Sequence, residues 1–279
     1  MAQTTMQSDA QVQSSSRLST FIGAALAFAL GVVVALGLLA LTEGFVSNDD
    51  YYHARISAEI IAQGNLRVAF PALPLTILSP DKFVDHHLLY HLYLSPFAYW
   101  GGIGGAKLGQ ALIIGGIFAA TWLLLRRLHI RPAWLWLTGL LALSSPFVYR
   151  MMMVRAQGAA VLVLLLVLYA LFTRRYRWLL PLAFAFTWLY NGFILLPIFA
   201  ALYAAAVWAS ERRLAWQPLA FALVGTAAGL IINPYFPQNI TFILEHLGDK
   251  IDLESGIRVG NEWYPYTTQG LMDNSPGML

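Results

Sequence analysis

Cysteine is absent from the 279 residues, and charged side chains make up only 11% of them. The first absence excludes disulfides, thiolate metal centres and thiol nucleophiles. The second is well below the roughly 25% of charged residues in an ordinary soluble domain. Hydrophobic residues reach 58%, and the mean hydropathy is +0.62. A chain so poor in charge has a membrane as one of its solvents. Acids are scarce, 14 against 17 bases for a net charge of +3. The bases gather in short clusters between apolar runs: Arg126-Arg127, Arg174-Arg175-Tyr176-Arg177 and Arg212-Arg213. Such spacing sets membrane topology and speaks against a nucleic-acid surface.

Residues 1–19 are rich in Gln, Ser and Thr, with Arg17 as their one base, and are expected to form a disordered cytoplasmic tail. The run 20–41 is long enough for a retained span and exceeds the core of a cleaved signal. Further apolar runs cover 104–125, 132–148, 158–172, 178–190, 192–209 and 215–232. The expected fold is an all-α polytopic bundle of about seven spans over 20–232. The positive-inside rule then puts every basic cluster in the cytoplasm. Segment 88–100 is apolar but carries His91, Ser95 and Pro96, and is read as an interfacial or re-entrant helix in a first outer loop, 43–102. Were it to cross, the count would be eight. Residues 233–279 form a last outer segment, and the sequence stops there, as a fragment or a short divergent member would.

The acids that matter stand just past the first span, where Asp49 and Asp50 open an amphipathic helix carrying Ile56, Ile60 and Ile61. Adjacent carboxylates at a bilayer edge suit a solvated loop. They equally suit a general base, an orienting group or a divalent-cation ligand. Asp49-Asp50-Tyr51-Tyr52-His53-Ala54-Arg55 resembles the Asp-x-Tyr-Tyr/Phe-x-x-Arg signature in the first outer loop of GT-C glycosyltransferases. That superfamily includes oligosaccharyltransferase catalytic subunits, protein O-mannosyltransferases and aminoarabinose transferases. Phe83–Leu92 is similar to the segment that closes that loop, and Ser145-Pro146 ends an apolar helix before a second outer loop, as in the family.

The resemblance implies transfer of a sugar, with inversion, from a polyprenyl-phosphate carrier to an acceptor on the non-cytoplasmic face of a bacterial inner membrane. Asp49, and next to it Asp50, would be catalytic. Tyr52, His53, Arg55, Arg150, Arg155, Gln157, Arg258 and Glu262 would bind the substrate and its phosphate. Between Tyr149 and Gly158 the chain has no acid where many members have one, so Mg or Mn dependence is expected to be weak. Asp85, His87 and His91 share a helical spacing that suits three metal ligands, with Asp49 as a further candidate. The expected partners are the lipid-linked donor, membrane lipids and other membrane subunits. The alternative function is a non-catalytic GT-C-like subunit of a larger complex.

The topology is testable. A cysteine at Ser47 is expected to react with an impermeant thiol reagent in intact cells. Labelling that appears only after lysis would put the acidic loop in the cytoplasm.

Overall fold

The computed structural model describes residues 2–69, 83–141, 145–251 and 267–274. Among these the chain is all-helical, with no strand. Helix α1 covers Ala2–Leu39, so the expected disordered tail is instead the first part of a helix. No Pro or Gly occurs before Gly23, and nothing in the local sequence breaks the helix that the apolar segment propagates. Leu18–Leu39 is long and apolar enough to cross a membrane.

The segment after α1 contains α2, Asn48–Gln63, and the beginning of α3, Leu88–Arg127. Helix α3 also passes the test for a membrane-crossing helix, yet it is not one rod. Gly102 has φ 55° and ψ −138°, a conformation that disfavours any residue with a Cβ, and the chain reverses there. The arms 88–101 and 103–127 fold against each other. The Tyr93 hydroxyl donates to Gly109 O at 2.8 Å, and a Cβ on Gly105 would sit 2.0 Å from Phe97 O. At about 1.5 Å per residue the 14-residue first arm spans roughly 21 Å, less than a bilayer core. The turn at Gly102 thus divides the apolar helix into a short arm and a long one. Within it, Pro96 cannot donate to Leu92 O, and the Ser95 hydroxyl does so instead at 2.8 Å.

The second arm of α3 runs antiparallel to α1. Gly31 meets Gly115 backbone to backbone, Gly23 lies on Trp122, and Lys107 Nζ donates to Leu39 O at 2.9 Å and Thr42 O at 2.6 Å. Close glycine contact is the usual way for apolar helices to pack without a solvent-driven core. The lysine ammonium serves the carbonyls left open at the end of α1.

Helices α4, Ala133–Gly139, and α5, Ser145–Met152, carry the chain back. Trp134 packs on Trp122 at one end, and Met151 O accepts from Gln110 Nε2 at the other. Helix α6, Ala156–Phe172, then descends parallel to the second arm of α3, with Gly158 on Gln110 and Gly116 on Leu162. After a 3-10 turn at Tyr176–Trp178 come α7, Leu179–Leu189, α8, Leu195–Glu211, and α9, Gln217–Ile231. Gly225 lies on Leu180 and Gly229 on Thr187, so α7 and α9 are parallel and α8 returns between them. Helices α10, Gln238–Ile251, and α11, Thr268–Asn274, follow.

The apolar runs from 132 onward were expected to be full spans, but each forms a helix of at most 17 residues. The runs include turn residues, such as Gly192 and the first-turn Pro218, so the apolar stretch outlasts the helix within it.

The reversal at Gly102 depends on the close approach at Gly105. Replacing Gly105 with Ala drives a Cβ into a backbone oxygen, and a loss of about 1–3 kcal/mol is expected. Thermal unfolding in detergent should separate it from Gly101→Ala, where nothing lies within 4 Å of the added carbon. Equal melting temperatures for the two variants would contradict the folded-back geometry.

Candidate active site at one end of the bundle

Helix α2 begins at the N-cap Ser47, which has extended backbone angles (φ −135°, ψ 152°). Asp50 reaches back so that its Oδ2 accepts the Ser47 amide at 3.1 Å, the carboxylate half of a capping box. Adjacent positions on a helix face different directions, and here that separates the two acids. The Asp49 side chain is 65% exposed while that of Asp50 is fully buried. They are not an equivalent pair in a solvated loop.

Arg155, the N-cap residue of α6, joins them. Its Nη2 donates to Asp49 Oδ2 at 2.6 Å and to Ser47 Oγ at 2.7 Å. Its Nε stands 3.6 Å from Asp50 Oδ1, beyond hydrogen-bond reach, and both atoms are buried without a partner. Gln157 Oε1, two residues further on, is a third such atom. Burial raises the Asp50 pKa above the usual carboxylate value, while hydrogen bonds from the Val154 and Ser47 amides and the charge of Arg155 oppose it. Arg155 therefore holds the two acids together and is not the free phosphate grip its sequence position suggested. Arg150, exposed on α5, remains uncommitted; the hydroxyl of its neighbour Tyr149 lies 3.4 Å from Val46 O.

One turn further along α2, His53 Nδ1 lies 2.7 Å from His91 Nε2, and His91 Nδ1 lies 2.7 Å from Asp85 Oδ2. The other Asp85 oxygen accepts the His87 amide at 3.0 Å. The chain is buried, with His91 at 0%, Asp85 at 4% and His53 at 7% exposure. Burial works to raise the Asp85 pKa, but the charge and hydrogen bond of His91 outweigh it and hold the carboxyl below its ordinary value. Burial first, then the charges of His91 and Arg155, push the His53 pKa well below 6.5, so its ring is neutral at neutral pH.

Asp85, His87 and His91 thus do not form the metal triad that their spacing suggested. The Asp85 carboxylate is engaged by His91 and by an amide. The His87 ring turns to Leu189 O at 3.2 Å and stacks on Tyr190. Asp49 likewise faces a guanidinium. Among the described residues no group of three or more His, Asp or Glu side chains is arranged to hold a metal.

Tyr52 belongs to the site, with its ring edge-on to His53 and His91, and burial raises its hydroxyl pKa well above the usual range. Arg55 does not. It is 72% exposed and pairs with Glu59 at 2.5 Å. Arg258 and Glu262 lie outside the described residues. Sequence reading overlooked Lys107, Gln110 and Tyr90, which brace the site from α3; the Tyr90 hydroxyl donates to Gln110 Oε1 at 3.3 Å. The signal for two of them was legible, because a lysine and a glutamine inside an apolar run need partners.

Comparison with known proteins gives no match: no family model, no curated protein and no solved structure is significantly similar to this chain.

Arg155→Gln leaves Asp50 buried beside no cation, and a loss of about 2 kcal/mol is expected at neutral pH. A carboxyl whose folded-state pKa lies above 3.8 stabilises the fold at low pH and loses that contribution as pH rises through the folded value. Removing Arg155 raises that value further. The melting-temperature gap to wild type should therefore be widest near pH 7.5 and close toward pH 4. A gap that does not change with pH would mean that Arg155 does not compensate the carboxylates.

Proposed function

We propose that this chain is a membrane-embedded glycosyltransferase of GT-C type, moving a sugar from a polyprenyl-phosphate carrier to an acceptor at the end of the bundle that bears Asp49, Asp50 and Arg155. The observation that carries this reading is the contact of Arg155 with both acids. It joins the loop after the first span to the loop before α6, the two segments whose layout resembles the superfamily's outer loops.

The seven-crossing topology draws support from the alternating directions of α1, the second arm of α3, segment 133–152, α6, α7, α8 and α9. The arginine clusters gather at the opposite end. Arg126, Arg127 and Arg131 share a cavity with Thr20 and Tyr169, and Arg174 pairs with Glu211. By the positive-inside rule that end is cytoplasmic, and the carboxylate end faces the periplasm or exterior.

In this reading the exposed Asp49, fixed by Arg155, orients the acceptor nucleophile. The nucleophile forms its bond to the anomeric carbon as the carbon–oxygen bond to phosphate breaks. The polyprenyl phosphate leaves with the electron pair, held by the Arg150 guanidinium. A direct displacement of this kind inverts the sugar carbon. A second reading has its own support. The ion pair with Arg155 already compensates the Asp49 charge, as a scaffold subunit without activity would require.

Asp49→Asn distinguishes the two. Loss of a charge-assisted hydrogen bond is worth about 1.5–3 kcal/mol, so transfer from a polyprenyl-phosphate sugar should fall about 10- to 100-fold. An exposed side chain contributes little to stability, and the melting temperature should move little. Wild-type protein that transfers no sugar from any such donor in lipid nanodiscs, alone or with its partner subunits, would favour the scaffold.

A further inference from the structure

A nucleophile that forms a bond to carbon must lose a proton. Asp49, oriented toward the acceptor, has its charge tied to Arg155. We propose that His53 Nε2 takes this proton and that His91 and Asp85 set the ring's tautomer and receive the charge. This assignment rests on the glycosyl-transfer reading of the site.

With His91 uncharged at rest, the contacts set the tautomers. An ionised Asp85 can only accept, so His91 must carry its proton on Nδ1. A neutral His91 then presents a lone pair at Nε2, and the 2.7 Å contact requires His53 to donate from Nδ1. What remains is a lone pair on His53 Nε2. Among the described residues no hydrogen bond reaches it, and His53 follows Asp49 and Asp50 by one helical turn.

Proton transfer into the chain keeps both internal hydrogen bonds. The acceptor O–H or N–H breaks, and its proton binds His53 Nε2. The Nδ1 proton of His53 moves to His91 Nε2, and the positive charge comes to rest on His91 against the Asp85 carboxylate. Nothing is oxidised or reduced, and the proton returns by the same route between turnovers. The titratable groups around His53 are Tyr52 on its own helix, His86 and His87 just before α3, Tyr90 and His91 within it, and Arg155 from the start of α6. A cation beside His53 disfavours charge on that ring, which is why the resting place is one ring further on. His53 is thus the catalytic residue, and His91 and Asp85 are positioning residues.

The test uses full-length protein in nanodiscs with its six histidines labelled with nitrogen-15, each assigned by a single His→Gln substitution. At pH 7.5, His53 is expected protonated on Nδ1 and bare on Nε2, and His91 protonated on Nδ1. Asp85→Asn should disturb both rings. Transfer by His53→Gln should fall at least about 100-fold, whereas His129→Gln, at the arginine end, should leave it unchanged. A proton on His53 Nε2 at neutral pH would overturn the assignment, and so would wild-type transfer by His53→Gln. If the tautomers are as expected but the wild-type protein transfers no sugar, the glycosyl-transfer reading fails while the proton-accepting chain stands.

Discussion

A carboxylate removed from water has to find compensation, and the arrangement at this end of the bundle follows from how Asp50 finds it. Its side chain is fully buried at the start of α2, supported by two amides and faced by the guanidinium of Arg155. Because that guanidinium comes from the N-cap of α6, the need of one buried acid couples segments more than a hundred residues apart. The same residue draws in the exposed Asp49, and an acid that could have been a mobile surface group acquires a fixed direction.

The second constraint is the reversal of α3. Only because the chain turns back at Gly102 does the arm 88–101 return its aromatic and histidine face toward α2. Tyr90 and His91 occupy neighbouring positions on that arm. One meets Gln110 on the second arm and the other meets His53 on α2. The hairpin thus sets the polar groups of its first arm between α2 and Gln110 of its second.

Much of this was legible in the residues. The scarcity of charge, the spacing of the arginine clusters, the first long apolar helix and the broken character of 88–100 all follow from composition and periodicity, and the structure brings together Asp49, Asp50 and Arg155, with His53 one turn along the same helix. Roles were harder to read, because a helical spacing such as that of Asp85, His87 and His91 states which residues are neighbours and not what they face. The i, i+4 rule could not reveal that Asp85 joins a histidine whose other nitrogen belongs to a second helix. Nor did composition foresee the helical start of the chain, since polar residues with no glycine or proline among them extend a helix whose stability lies further along.

Lys107 closes the segment between α1 and the second arm of α3. The ammonium closes on the carbonyls at the end of α1, across 68 residues of sequence. Asp49, Asp50 and the rest of α2 precede the lysine in the chain, so this clasp can shut only once the chain has turned back at Gly102. Until then, the buried side chains of the site have neither of their partners from α3 and α6. The site is complete only when α6 has followed α3, because Arg155 comes later in the chain than the lysine.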